Sequence, residues 1–134
     1  MDIGHGWLHT NMSIKDMNTR MDIDGLNKVS SITIDVSVLA EQMLFCAEDN
    51  AELILDWLYH GSRRQQPYSI DCDEPIGLII NKEKWCDRKT GLKCSQLIVV
   101  LTKYEEKDGD MSFKITTEYC DLTKEELEQA KRAF

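Results

Sequence analysis

A chain of 134 residues has room for one domain around one hydrophobic core, so residues 1–134 are expected to fold as a single unit. With 42% apolar residues, 30% charged residues and no apolar run near the ~20 residues that cross a bilayer, the sequence excludes a membrane-spanning helix. A formal charge of −8, from 24 acids and 16 bases, argues against nucleic-acid capture by a global positive field and favours an acidic binding protein.

The charge is uneven. Residues 82–93 carry five bases (Lys82, Lys84, Arg88, Lys89, Lys93) and two acids, a local charge of +3, and Arg63 and Arg64 make a second basic point. Much of the acid falls in residues 105–128. The five cysteines, Cys46, Cys72, Cys86, Cys94 and Cys120, are odd in number and contain no CxxC. The first residues have neither a basic nor an apolar signal region. Together these predict reduced structural thiols, with one bridge left open for work outside the cell. The nearest pair, Cys86 and Cys94, is too widely spaced for a zinc knuckle, and no metal or other cofactor is expected.

In chain order, residues 5–12 hold two histidines and Trp7 without a clean period, and read as a loop or a short helix. Ser13 caps a predicted helix over residues 14–21, with Met17 and Met21 at i, i+4, and Asp24-Gly25 ends it. Residues 27–36 are extended or loop-like. Ser37 is the expected N-cap of a helix over residues 38–45. Asp49 is the expected cap of a second helix carrying Leu53, Ile54, Trp57 and Leu58, which closes in a polar loop from His60 to Pro67. The second half turns to β structure. Ile76 to Ile80 and Leu97 to Leu101 are apolar strands, residues 107–110 make a hairpin turn, and Phe113 to Tyr119 alternates as the partner strand. Thr123 and Glu126 form a capping box for a terminal helix. Helices first and an antiparallel sheet afterwards give an α+β fold, N-terminal helices packed against a twisted sheet.

The order of short motifs resembles one family. Gly4-His5 opens the chain; His9 is followed by Ser13 four residues on and Arg20 eleven on. Val29-Ser30-Ser31-Ile32 precedes Leu39-Ala40-Glu41. Asn50, Leu53 or Ile54, and Trp57-Leu58 share a helix, and Ile76-Gly77, Val99-Val100-Leu101 and Thr117-Glu118-Tyr119 follow. Over residues 4–121 this is similar to the RNase A-like toxin domains of bacterial contact-dependent growth inhibition proteins. The family's two histidines usually lie one residue further apart than His5 and His9, and Cys120 stands where a proline often follows the tyrosine.

The resemblance implies a metal-independent ribonuclease with His9, Arg20, Thr117 and Tyr119 as its catalytic residues. Those residue types suit the chemistry. Metal-free RNA cleavage uses the 2′-hydroxyl as nucleophile, so a proton must leave it and a phosphorane-like charge must be held. Histidine exchanges protons near neutrality, arginine forks onto two phosphate oxygens, and hydroxyls orient the phosphate. On one straight helix His9 and Arg20 would stand roughly 16 Å apart, so a break is expected between Thr10 and Ser13. Thr117 and Tyr119, two apart on a strand, share a face.

The expected RNA contacts are Arg63, Arg64, Lys82, Lys84, Arg88, Lys89 and Lys93. A cognate immunity protein is the implied partner of an otherwise monomeric domain. The domain would be secreted or delivered from a cell surface and act in the target-cell cytoplasm. The alternative from another class is an acidic non-enzymatic binder, such as an immunity protein or nuclease inhibitor. A nuclease must bring His9, Arg20, Thr117 and Tyr119 together; a binder has no reason to.

Overall fold

Ser13 and Gly25 bracket the first helix. The Ser13 hydroxyl accepts from the Asp16 N–H at 3.1 Å, and Gly25 leaves the helix in the left-handed region at φ 66°. The computed structural model describes residues 10–134. The elements are α1 (Ile14–Asp24), β1 (Lys28–Ile32), α2 (Val36–Asp49), α3 (Ala51–His60) and β2 (Gln65–Asp71). They continue as β3 (Gly77–Asn81), β4 (Leu92–Cys94), β5 (Gln96–Glu105), β6 (Met111–Asp121) and α4 (Lys124–Ala133). The fold is α+β, with the strands in two three-stranded antiparallel sheets, β1-β3-β4 and β2-β5-β6, rather than one.

Two expected caps shift. Asp35, not Ser37, precedes α2, and Ser37 sits inside its first turn and donates its hydroxyl to the Asp35 carboxylate at 2.6 Å. Asn50, not Asp49, separates α2 from α3. Its amide donates to the Cys46 carbonyl at 2.9 Å and to the Ser69 carbonyl at 3.1 Å, closing α2 and fastening it to β2. The expected polar loop after His60 also shortens, because β2 begins at Gln65 and runs through Pro67. An edge strand tolerates proline, since a missing N–H on its outer side costs nothing.

In the larger sheet, the rows Tyr68–Val99–Glu118 and Ser69–Ile98–Tyr119 run across all three strands on opposite faces. Tyr68, Leu97, Val99 and Leu101 are buried and pack with Leu39, Ile54, Trp57 and Leu58 of α2 and α3. The alternate residues Ile98, Val100, Thr117 and Tyr119 are half-buried. A bulge sets Val100 opposite Thr117 and Leu101 opposite Ile115. The β5–β6 turn closes at the expected place. The Glu106 N–H reaches the Asp110 carbonyl at 2.8 Å, and Gly109 takes φ 88°. The Thr123–Glu126 capping box also forms, and Glu126 additionally accepts from the Ser95 N–H and hydroxyl, both at 2.9 Å, pinning α4 to the start of β5.

Met17 and Met21 are fully buried with Val29, Ile80 and Cys86 in a second cluster. This cluster seats α1 on the smaller sheet and fixes the direction of Arg20, one residue before Met21. No helix among the described residues is long and apolar enough to cross a membrane.

Candidate active site

Arg20, Thr117 and Tyr119 line one cavity of about 310 Å³ at the seam between the two sheets. One wall comes from α1 and the smaller sheet, with Leu26, Lys28, Val29, Ser30 and Ile79; the other is β6, with Thr117, Tyr119 and Cys120. Strand alternation puts Thr117 and Tyr119 on the same face, as their spacing predicts. The Thr117 hydroxyl is buried and has no hydrogen-bond partner among the described residues. Arg20 lies 3.7 Å from the Asp24 carboxylate through its Nε. Lys28, which no sequence motif singles out, reaches across the seam to Asp121 at 2.6 Å.

The cavity therefore offers two cations and three hydroxyls, those of Ser30, Thr117 and Tyr119, above a partly apolar floor. Both cations have a carboxylate neighbour, Asp24 or Asp121, at partly exposed positions. Exposed pairs of this kind are weak, so a phosphate oxygen entering the cleft competes with them at little cost. An arginine, a lysine and orphaned hydroxyl capacity in one cleft suit an oxyanion such as a phosphodiester.

Behind this floor lies Glu118. It points to the opposite face of β6, has no exposed surface, and neither carboxylate oxygen has a partner among the described residues. Burial holds its carboxyl above the ordinary range.

His9 lies outside the described residues, as do His5 and Trp7. The chain just after His9 is described. Thr10 bridges Ile32, the Asn11 N–H donates to the Ile32 carbonyl at 2.8 Å, and the Met12 N–H donates to the Ser31 hydroxyl at 2.7 Å. Asn11 has φ 52°, and α1 begins only at Ile14. The expected break between His9 and Arg20 is present, and it runs along β1 beside Ser30.

The basic residues fall in two other places. Arg63 and Arg64 line an open cavity of about 940 Å³ together with Lys114, Gln65, Thr102 and Thr116. Thr102 and Lys114 face each other across β5 and β6, with Lys114 three residues before Thr117, so both cavities border β6. The loop bearing the arginines is held from below. The Trp57 indole donates to the Arg63 carbonyl at 2.8 Å, and the Lys103 ammonium donates to the carbonyls of Trp57 and Gly61. Lys114 was missed because strand alternation alone gives a surface lysine no significance.

Lys82, Lys84, Lys89 and Lys93 are exposed, and none of the bases in residues 82–93 lines either cavity. Arg88 is engaged differently. Its Nε donates to Asn18 at 2.8 Å and its Nη2 to Asp22 at 2.9 Å, while the Asn18 amide returns a bond to the Arg88 carbonyl at 2.8 Å. It clamps the β3–β4 loop to α1. His60 is exposed at the end of α3. Among the described residues no three His, Cys, Asp or Glu side chains gather at a spacing fit for a metal ion.

No family model matches the sequence, and no curated protein matches it. Among solved structures, one chain of the crystal structure of a CdiA-CT/CdiI complex from Y. kristensenii matches with a TM-score of 0.73. The two chains share a fold. The match covers 87% of this chain and 97% of the CdiA-CT/CdiI chain at 14% sequence identity, so the common property is the arrangement of helices and sheets.

Proposed function

We propose that this chain is the toxin domain of a contact-dependent growth inhibition system, a metal-independent endoribonuclease neutralised by a cognate immunity protein. One observation carries the reading. Arg20 from the first helix and Thr117 and Tyr119 from the last strand, far apart in sequence, line a single cleft. A shared fold with a chain of a CdiA-CT/CdiI complex supports the same setting. In this role the domain reaches a neighbouring cell from the surface of its maker and acts in the target-cell cytoplasm.

In the mechanism, the ribose 2′-oxygen attacks the adjacent phosphorus, the bond to the leaving 5′-oxygen breaks, and a 2′,3′-cyclic phosphate forms. His9 takes the 2′-hydroxyl proton, as the family resemblance implies, and the leaving 5′-oxygen takes up a proton from solvent to end as a 5′-hydroxyl. Arg20 neutralises the equatorial oxygens, with Lys28 as a second cation on the same wall. The Thr117 hydroxyl, buried without a partner among the described residues, is pre-set to bond a phosphate oxygen, and Tyr119 stands beside it on the same face. Arg63 and Arg64, joined by Lys114, hold phosphates further along the strand. Lys82, Lys84, Lys89 and Lys93 serve as an outer basic strip. Local patches of this kind let a protein of charge −8 capture RNA. An inhibitor that covers the cleft and these patches would present carboxylates, associate quickly and weaken with salt.

The second reading, an acidic immunity protein or nuclease inhibitor, draws on the net charge. It gives the cleft no task, and site variants separate the two. Arg20→Lys, Thr117→Val, Tyr119→Phe and His9→Gln should each lower cleavage of a synthetic RNA by about 10²-fold. Arg132→Ala, at an exposed position on α4, should leave it unchanged. Cleavage at the parent rate in all four site variants would overturn the nuclease reading.

A further inference from the structure

Cys94 ends β4 and Cys120 lies near the end of β6, so they belong to different sheets, yet their sulfurs are 3.0 Å apart. Cys94 donates its S–H to Cys120, and both residues are buried. The contact is much closer than the 3.6 Å at which Cys120 meets the Ser31 carbonyl. A disulfide needs about 2.05 Å between sulfurs, so roughly 1 Å of movement, within reach of side-chain torsions, separates contact from bond.

The surroundings are shaped for this pair. Gly77 pairs with Cys94 across β3 and β4, and a Cβ on Gly77 would fall 2.6 Å from the Cys120 sulfur. Glycine leaves the room that the sulfur fills. Cys46 lies in the same core cluster, with Cys72 packed against it, but the close sulfur pair is Cys94 with Cys120. Cys46 is bonded to the Asn50 amide, Cys72 is only half-buried, and Cys86 sits in the second cluster.

We infer that Cys94 and Cys120 form a disulfide site that staples the two sheets together beside the cavity lined by Arg20, Thr117 and Tyr119, with a low-molecular-weight disulfide such as oxidised glutathione as its oxidant. One cysteine thiolate attacks a sulfur of the oxidant and releases one thiol. The second cysteine then attacks the mixed disulfide and releases the other. The two cysteine thiols lose two electrons, and the oxidant becomes two thiols that carry away both protons.

The hydrogen bond to Cys120, and then burial, push the Cys94 thiol above its ordinary value. Its thiolate is scarce in the folded protein, so the bridge forms during folding, before the seam closes. Since Cys120 lines the cavity wall opposite Lys28 and Ser30, the bond fixes one wall against the other. It also constrains the unfolded chain, through a loop spanning 26 positions.

The test is to unfold the purified chain in urea and refold it with oxidised glutathione or with a reductant. Refolding with the oxidant should remove two hydrogens from the intact mass and lower the thiols titrated in denaturant from five to three. It should also yield a linked peptide containing Cys94 and Cys120 and raise Tm by about 5–10 °C. Cys94→Ser should keep all four of its thiols under the same treatment. Five titratable thiols after oxidative refolding, a bridge between other cysteines, or a Cys94–Cys120 bond that leaves Tm unmoved would each overturn the inference.

Discussion

Glu118 is fully buried, and its carboxylate has no hydrogen-bond partner among the described residues. Leaving a buried polar group unsatisfied costs about 1–3 kcal/mol, and more when it is charged. Glutamine keeps the shape and removes the charge, so Glu118→Gln should stabilise the protein by about 1–2 kcal/mol at pH 8. For a domain of this size that is a rise in Tm of about 3–8 °C.

The sign depends on pH. Burial raises the folded carboxyl above its unfolded value of ~4.3. Between the two values the folded state binds more protons, so this group favours folding fully below ~4.3. That contribution fades as pH rises through the folded value and stays lost above it. Glutamine does not titrate, and its advantage should be near zero at pH 4 and complete at pH 8. Urea unfolding of both proteins at the two pH values reads the difference directly, since acid effects elsewhere cancel between them. An equal gap at both pH values, or a less stable glutamine variant at pH 8, would refute the picture of an unpaired buried carboxylate.

Thr117→Val removes a buried hydroxyl that has no hydrogen-bond partner among the described residues, so urea unfolding should show stability unchanged or raised by about 1 kcal/mol, while RNA cleavage falls. Gly77→Ala places a Cβ 2.2 Å from the Ser31 carbonyl oxygen, a backbone atom with little freedom to move, and should cost about 2–4 kcal/mol in the same assay. Lys103→Met strips the Trp57 and Gly61 carbonyls of their shared ammonium donor and should lower stability by about 1–2 kcal/mol in thermal melts followed by circular dichroism.

Local chemistry was legible wherever a side chain answers to its own neighbours. Ser13, Gly25, the Thr123–Glu126 box and the turn at residues 107–110 all act within a few residues, and the structure places them as their types predict. The same face for Thr117 and Tyr119 followed from strand alternation. What escaped depends on contacts distant in sequence. Asn50 outcompetes Asp49 because its amide also reaches Ser69 on β2. β2 passes through Pro67 because the strand is at a sheet edge, a fact no local pattern carries. Glu118, between two polar cleft residues, reads as one more surface carboxylate. Only elements distant in sequence, β1, β3 and α3, packed against β6, make it buried. Lys28 and Lys114 gained their meaning from strands that lie beside them, and Arg88 looked like one base in a run until α1 supplied Asn18 and Asp22.

Metal-free attack by the 2′-hydroxyl leaves its signature in the chemistry of the cut. The purified chain, incubated with total RNA in excess EDTA, should cleave it and leave fragments ending in 2′,3′-cyclic phosphate with 5′-hydroxyl partners. Intact RNA at micromolar protein, or fragments bearing 5′-phosphates and 3′-hydroxyls, would contradict it.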